Sequence, residues 1–180
     1  DLVAAFVEQA RLGRTKFDRP WAGISGQPVD ADMAGPLGLD RAGGIIVSGV
    51  HPASPFKAAG LLVGDVITAV ANQKVNTPNE MVYRMSVAGL GRKVDVSYLR
   101  NGRSQDIAVE LIAAPDFPPR ETLRLADDSV LPGLSISRVN PAVVSELNLP
   151  LETQGVVVME PGRFGARAGM RAGDVIVSVN

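Results

Sequence analysis

An internal duplication constrains this chain more than any other feature. Gly44-Ile45-Ile46-Val47 returns as Gly155-Val156-Val157-Val158. Ala59-Gly60-Leu61-Leu62-Val63-Gly64-Asp65-Val66-Ile67 returns as Ala168-Gly169-Met170-Arg171-Ala172-Gly173-Asp174-Val175-Ile176. Upstream, Gly23-Ile24-Ser25 matches Gly133-Leu134-Ser135, and Leu39 matches Leu149. A period of roughly 110 residues exceeds that of solenoids and propellers and is the size of a small globular domain. Two domains of one kind in tandem point to binding rather than to a single active site.

Composition narrows the classes further. An apolar content of 46% with 21% charged residues is a globular balance that can bury a core. Lys+Arg 18 against Asp+Glu 19 leaves no basic excess for a phosphate backbone, so nucleic acid is not an expected partner. No run of 18 or more apolar residues is present, so no transmembrane segment is expected. His51 is the only histidine and cysteine is absent, which leaves no N/S ligand set for zinc; no D-x-D-x-D-G loop offers a calcium site, and no cofactor is implied. His51 lies in Val50-His51-Pro52-Ala53-Ser54-Pro55, a loop pattern, where a lone histidine is expected to be solvated. Without a Gly-x-Ser-x-Gly elbow, no catalytic residue is assigned. Asp65 and Asp174 follow glycine at the start of strands and are read as turn residues whose carboxylates accept local N–H groups.

Along the chain, Leu2, Val3, Phe6, Val7 and Ala10 form a helical stripe ending at Gly13, followed by a polar connector. Strands are expected over 45–50 and 65–71, with a turn at Asn72-Gln73. Thr77, Pro78 and Glu80 form a capping-box start to a helix that runs to Ala88 and stops at Gly89. Val94 to Leu99 alternates as a half-buried strand, Asn101-Gly102 centres a hairpin, and a last strand covers 105–111. Residues 113–121 are a Pro-rich linker. The second copy stops just after the strand equivalent to 65–71, so its helix and last two strands are expected to be artificially cut away or supplied by another chain.

The stretch Trp21-Ala22-Gly23-Ile24-Ser25 carries the binding expectation. Small residues entering a strand can turn successive N–H groups inward as an anion nest, and the strand they open can take up an extended peptide. Pro28 ends the row of donors.

Together these residues resemble the PDZ domain, in the permuted bacterial form that follows the protease domain of HtrA/Deg serine proteases. The resemblance rests on Arg19-Pro20-Trp21-Ala22-Gly23-Ile24, on Pro52-Ala53-Ser54-Pro55 with Ala58-Ala59-Gly60-Leu61 and Gly64-Asp65-Val66-Ile67, and on Leu99-Arg100-Asn101-Gly102. It implies a mainly β fold with short helices (α+β) and two partly open β-barrel domains, the second incomplete. The expected division is 1–20 from the end of a preceding protease domain, 21–112 as the first PDZ domain, 113–121 as linker and 122–180 as the second. It also implies that Trp21, Ala22, Gly23, Ile24 and Ser25 bind peptide, with Ala22, Gly23 and Ile24 as the carboxylate loop. Helix 78–88 is the opposite wall, with Met81, Met85 and Ala88 toward the core and Glu80, Arg84 and Val87 toward the groove. Gly133, Leu134 and Ser135 stand at the equivalent loop of the second copy. There Pro132 lacks the N–H that Ala22 has, so this copy is expected to bind carboxylates poorly and to serve assembly or spacing.

The function so implied is a peptide-binding regulatory segment of a periplasmic serine protease. Its partners would be C-terminal or extended peptides of misfolded proteins and its own protease domain, in a homo-oligomer. A protease-free tandem PDZ adaptor of the cell envelope is the alternative.

Overall fold

The computed structural model describes residues 18–178 and, before them, Val3, Val7, Ala10, Arg11 and Gly13. Val3, Val7, Ala10 and Arg11 are helical, whereas Leu2 and Phe6 of the expected stripe lie outside the described residues. The chain divides into two compact units, Asp1–Ala114 and Pro115–Asn180.

The first unit is built on one antiparallel sheet. Its strands are β1 (Ile24–Pro28), β2 (Ile45–Val50), β3 (Val66–Val70), β4 (Gln73–Lys74), β5 (Lys93–Arg100) and β6 (Arg103–Glu110). They run in the order β1-β2-β3-β5-β6, with β4 added beside β3. The sheet is not closed into a barrel. A bond from the Trp21 N–H to the Ile112 carbonyl, 2.8 Å long, links the residues just before β1 and just after β6. β5 shows why these residues make strands: Val94, Val96 and Tyr98 are buried while Lys93 and Asp95 are exposed, the period-2 pattern of a sheet with one buried face. The hairpin to β6 turns on Asn101 and Gly102, both at positive φ (52° and 73°), as a two-residue turn with the strands' own twist requires. The turn after β3 falls at Ala71-Asn72 (φ 49° and 61°), one residue earlier than expected, because Val70 pairs with Gln73.

Within residues 18–114, the helices α1 (Ala31–Ala34), α2 (Pro55–Ala58) and α3 (Pro78–Ala88) accompany this sheet. Only α3 has an amphipathic pattern long enough to read from sequence. α1 and α2 are single turns, each held by one side-chain cap, Asp30 and Ser54. Thr77 accepts the Glu80 N–H (3.1 Å) as expected, but Glu80 reaches back to the Asn76 N–H (2.7 Å), one residue before the cap. Met81 and Met85 enter a core with Ile45, Val47, Phe56, Leu61, Ile67, Val96 and Val109. A smaller cluster of Val29, Ala34 and Val66 packs separately, so neighbouring residues of β3, Val66 and Ile67, join different clusters.

The second unit repeats the first half of this plan. β7 (Leu123–Arg124), β8 (Ser135–Arg138), β9 (Val156–Glu160) and β10 (Val175–Ile176) form an open sheet in the order β10-β9-β8-β7, with α4 (Pro141–Leu147) and α5 (Gly162–Arg167). The duplication extends to individual bonds. Asp65 accepts the Leu62 N–H at 2.7 Å and Asp174 the Arg171 N–H at 2.8 Å, which is the turn chemistry expected of both. Val47 N–H to the Asp65 carbonyl recurs as Val158 to Asp174, each 2.9 Å. Even the irregularity repeats: β1 is bulged against β2 at Ser25/Gly26, and β8 against β9 at Ser135/Ile136.

Candidate functional site

β1 is the end strand of its sheet, and the backbone bonds fix which of its groups face outward. The Gly23 carbonyl accepts the His51 N–H at 2.8 Å. The C=O and N–H across one trans peptide point in opposite directions, so the Ile24 N–H is turned away from β2 to the free edge. The extra residue of the Ser25/Gly26 bulge lies on β2, because Ser25 pairs with Gly49 and Gly26 with Val47, so alternation along β1 continues. Residues 24, 26 and 28 therefore present their backbone groups outward, and Pro28 contributes no N–H. Among the described residues nothing pairs with this edge, and it is short: two donors, then a stop.

The approach to this edge is held from behind. Trp21, Ala22 and Gly23 are buried, and Ile24 and Ser25 are half-buried. Ser54, 1% exposed, donates its hydroxyl to the Ala22 carbonyl at 2.6 Å and accepts the Phe56 and Lys57 N–H groups at 3.1 and 3.3 Å. One hydroxyl thus caps α2 and anchors the loop, and it turns the Gly23 N–H away from Ser54 by the same peptide geometry. Gly23 has φ +61°, and a Cβ there would meet the Trp21 ring at 2.7 Å and Ser54 at 3.0 Å, so glycine is required on both counts. The Trp21 and His51 rings pack in a T-shaped arrangement with centroids 5.4 Å apart.

His51 is not the solvated loop side chain expected. It is half-buried, and its Nδ1 accepts the Ala53 N–H at 3.1 Å. Burial first and the neighbouring Lys57 charge second lower its pKa below 6.5. Sequence reasoning missed both Ser54 and His51 as supports of the loop. The Ser-Pro pair of Ser54-Pro55, a helix N-cap followed by proline at N1, was the available sign for the first.

On α3, Met81 and Met85 are buried and Ala88 is packed against the core. Glu80 is exposed and its carboxylate is engaged in the helix cap. Arg84 is half-buried with its guanidinium 5.6 Å from the Tyr83 ring centroid, and Val87 is also half-buried. Val82 and Ser86 lie on the other flank of the Met81–Met85 stripe, Ser86 buried with its hydroxyl on the Val82 carbonyl at 2.7 Å. Beside the buried stripe, the structure leaves Glu80, Arg84 and Val87 accessible on one flank and Val82 on the other.

The loop of the second unit differs. Gly133 repeats the positive φ (+74°), but its N–H is engaged with the Leu125 carbonyl at 3.1 Å, and the Leu134 N–H with the Leu131 carbonyl at 3.2 Å. Ser135 is buried. No helix among the described residues of either unit is long and apolar enough to cross a membrane.

Comparison with known proteins agrees with this geometry. A match to the PDZ domain family covers residues 21–111. A probable periplasmic serine endoprotease, DegP-like, from a Marinomonas species is 32% identical over 166 residues, covering 92% of this chain and 34% of that protein. One of the same description from Brucella suis is 33% identical over 172 residues, covering 94% of this chain and 33% of that protein. The chain spans about a third of the length of these relatives. Among solved structures, the HtrA-type protease AlgW with a decapeptide superposes with a TM-score of 0.52 at 29% identity, covering 65% of this chain and 35% of that one. The chain belongs to the PDZ domain family, and its relatives are HtrA/DegP-type serine endoproteases.

Proposed function

We propose that this chain is the peptide-binding regulatory segment of an HtrA/Deg-like serine endoprotease of the periplasm. The first unit captures C-termini or extended apolar segments of unfolded proteins as a strand added to β1. The ligand's backbone pairs with the outward groups of Ile24 and Gly26, and a terminal carboxylate sits at the loop of Ala22, Gly23 and Ile24 N–H groups. α3 is the opposite wall. The second unit serves assembly or spacing, and peptide cleavage belongs to a protease domain elsewhere in a homo-oligomeric protein.

The observation that carries this reading is the outward-turned Ile24 N–H on an end strand whose loop is held by Ser54. The names of the relatives support the periplasmic protease. A few main-chain bonds and one side-chain site correspond to a dissociation constant of about 1 μM, or about −8 kcal/mol. Titrating the chain with an apolar-ended peptide in free-acid and C-terminally amidated forms tests the carboxylate site. The amide is expected to bind at least about tenfold more weakly, a loss of about 1.4 kcal/mol; equal affinities would remove the carboxylate from the proposal.

A further inference from the structure

Among the described residues nothing pairs with the outer edge of β1, whereas that of its counterpart β8 is occupied. Residues 120–125 run antiparallel along β8, with Leu123 opposite Ile136 and Arg124 opposite Ser135. The Arg138 N–H donates to the Arg120 carbonyl at 2.7 Å, at the position where the first unit has Pro28 and no donor. At the other end the Leu125 N–H donates to the Leu134 carbonyl at 2.8 Å, and the Leu125 carbonyl accepts the Gly133 N–H at 3.1 Å. Leu134 and Gly133 are the counterparts of Ile24 and Gly23. Side chains add to this: Arg120 bonds Asp116 at 3.1 Å and Glu146 at 2.8 Å, the Thr122 and Ser137 hydroxyls are 2.6 Å apart, and Glu121–Arg138 and Arg124–Glu160 are exposed ion pairs. Residues 121–124 are exposed, and the two ends of the segment, Arg120 and Leu125, are half-buried. The segment has the strand polarity, the edge pairing and the loop contact of an added peptide whose last residue is Leu125.

We propose that residues 120–125 are a tethered internal ligand of the second unit, filling in cis the outer edge of β8. This extends the peptide-edge reading to β8, but it concerns only the second unit and is tested there. A segment joined to its site by a short loop acts at an effective concentration of about 1 mM, so with a micromolar affinity of its own it raises the apparent dissociation constant of any free peptide about a thousandfold. The second unit is then closed to free peptides because its edge is already filled, in addition to the donor missing at Pro132.

Residue-resolved amide exchange and chemical shifts on the 180-residue chain test this, with the free-acid hexapeptide Arg-Glu-Thr-Leu-Arg-Leu as probe. In the parent chain the Gly133 and Arg138 amides are expected to be protected while the Ile24 amide exchanges freely. The peptide should leave the 133–138 resonances unmoved. In Leu125→Pro, which removes the donor to Leu134, protection of Gly133 and Arg138 should fall at least about tenfold, and the peptide should shift resonances 133–138. Unprotected Gly133 and Arg138 amides in the parent would overturn the proposal without any variant. It is equally overturned if the peptide shifts 133–138 as strongly in the parent, or fails to shift them once the edge is freed. Peptide shifts at residues 22–26 report the first unit separately, so failure there leaves this test intact.

Discussion

Ser54 illustrates how one side chain joins local structure to the site. Its hydroxyl is buried, caps α2 and holds the Ala22 carbonyl, so replacing it removes a cap and leaves a buried acceptor unpaired. Ser54→Ala is expected to cost about 1–3 kcal/mol in urea unfolding, and to weaken binding of a free-acid peptide more than of its amide, because the Gly23 N–H loses its orientation. His51 makes a pH prediction. Its folded pKa lies below the unfolded value of 6.5, so the unfolded chain binds more protons in the window between the two. Its contribution to stability is complete above 6.5 and is lost as pH falls through the folded pKa. Urea midpoints measured from pH 7.5 to 5 should fall toward acid, and His51→Gln should flatten that slope. An unchanged slope would mean that His51 is not what titrates.

Among the elements, the helix caps and the Asn-Gly hairpin were legible in the sequence because each needs only neighbours along the chain. Thr77, Pro78, Asn101 and Gly102 stand where local rules put them. The single-turn helices α1 and α2 were not read, since four residues carry no period; Ser54-Pro55 was a local sign of α2, but that the Ser54 hydroxyl also holds the Ala22 carbonyl depends on how the loops close. The flank of α3 that faces a ligand also depends on packing. The sequence assigns Glu80, Arg84 and Val87, but Glu80 is engaged in its own helix cap. Arg84→Ala and Val82→Ala, one on each flank, divide the question. A several-fold loss of peptide affinity in Arg84→Ala alone is expected from the sequence assignment. A loss in Val82→Ala alone moves the wall to the Val82–Ser86 flank, and no loss in either removes α3 from the site.

At the scale of the whole molecule, the first unit has its core within itself: every member of the cluster from Ala22 to Leu111 belongs to Asp1–Ala114. A fragment ending at Ala114 is therefore expected to unfold cooperatively and to bind the same peptide within about twofold of the 180-residue chain, read by circular dichroism and titration. The sequence alone determined that there are two copies, where their shared turns lie and that proline replaces a donor in the second loop. All of these are properties of residue identity and spacing. Only the tertiary structure decided that, among the described residues, the copies differ in their edges. Whether β1 or β8 has a free side depends on what pairs with it through space. The segment that covers β8 is a two-residue strand, Leu123–Arg124, too short to carry an alternation that sequence could announce.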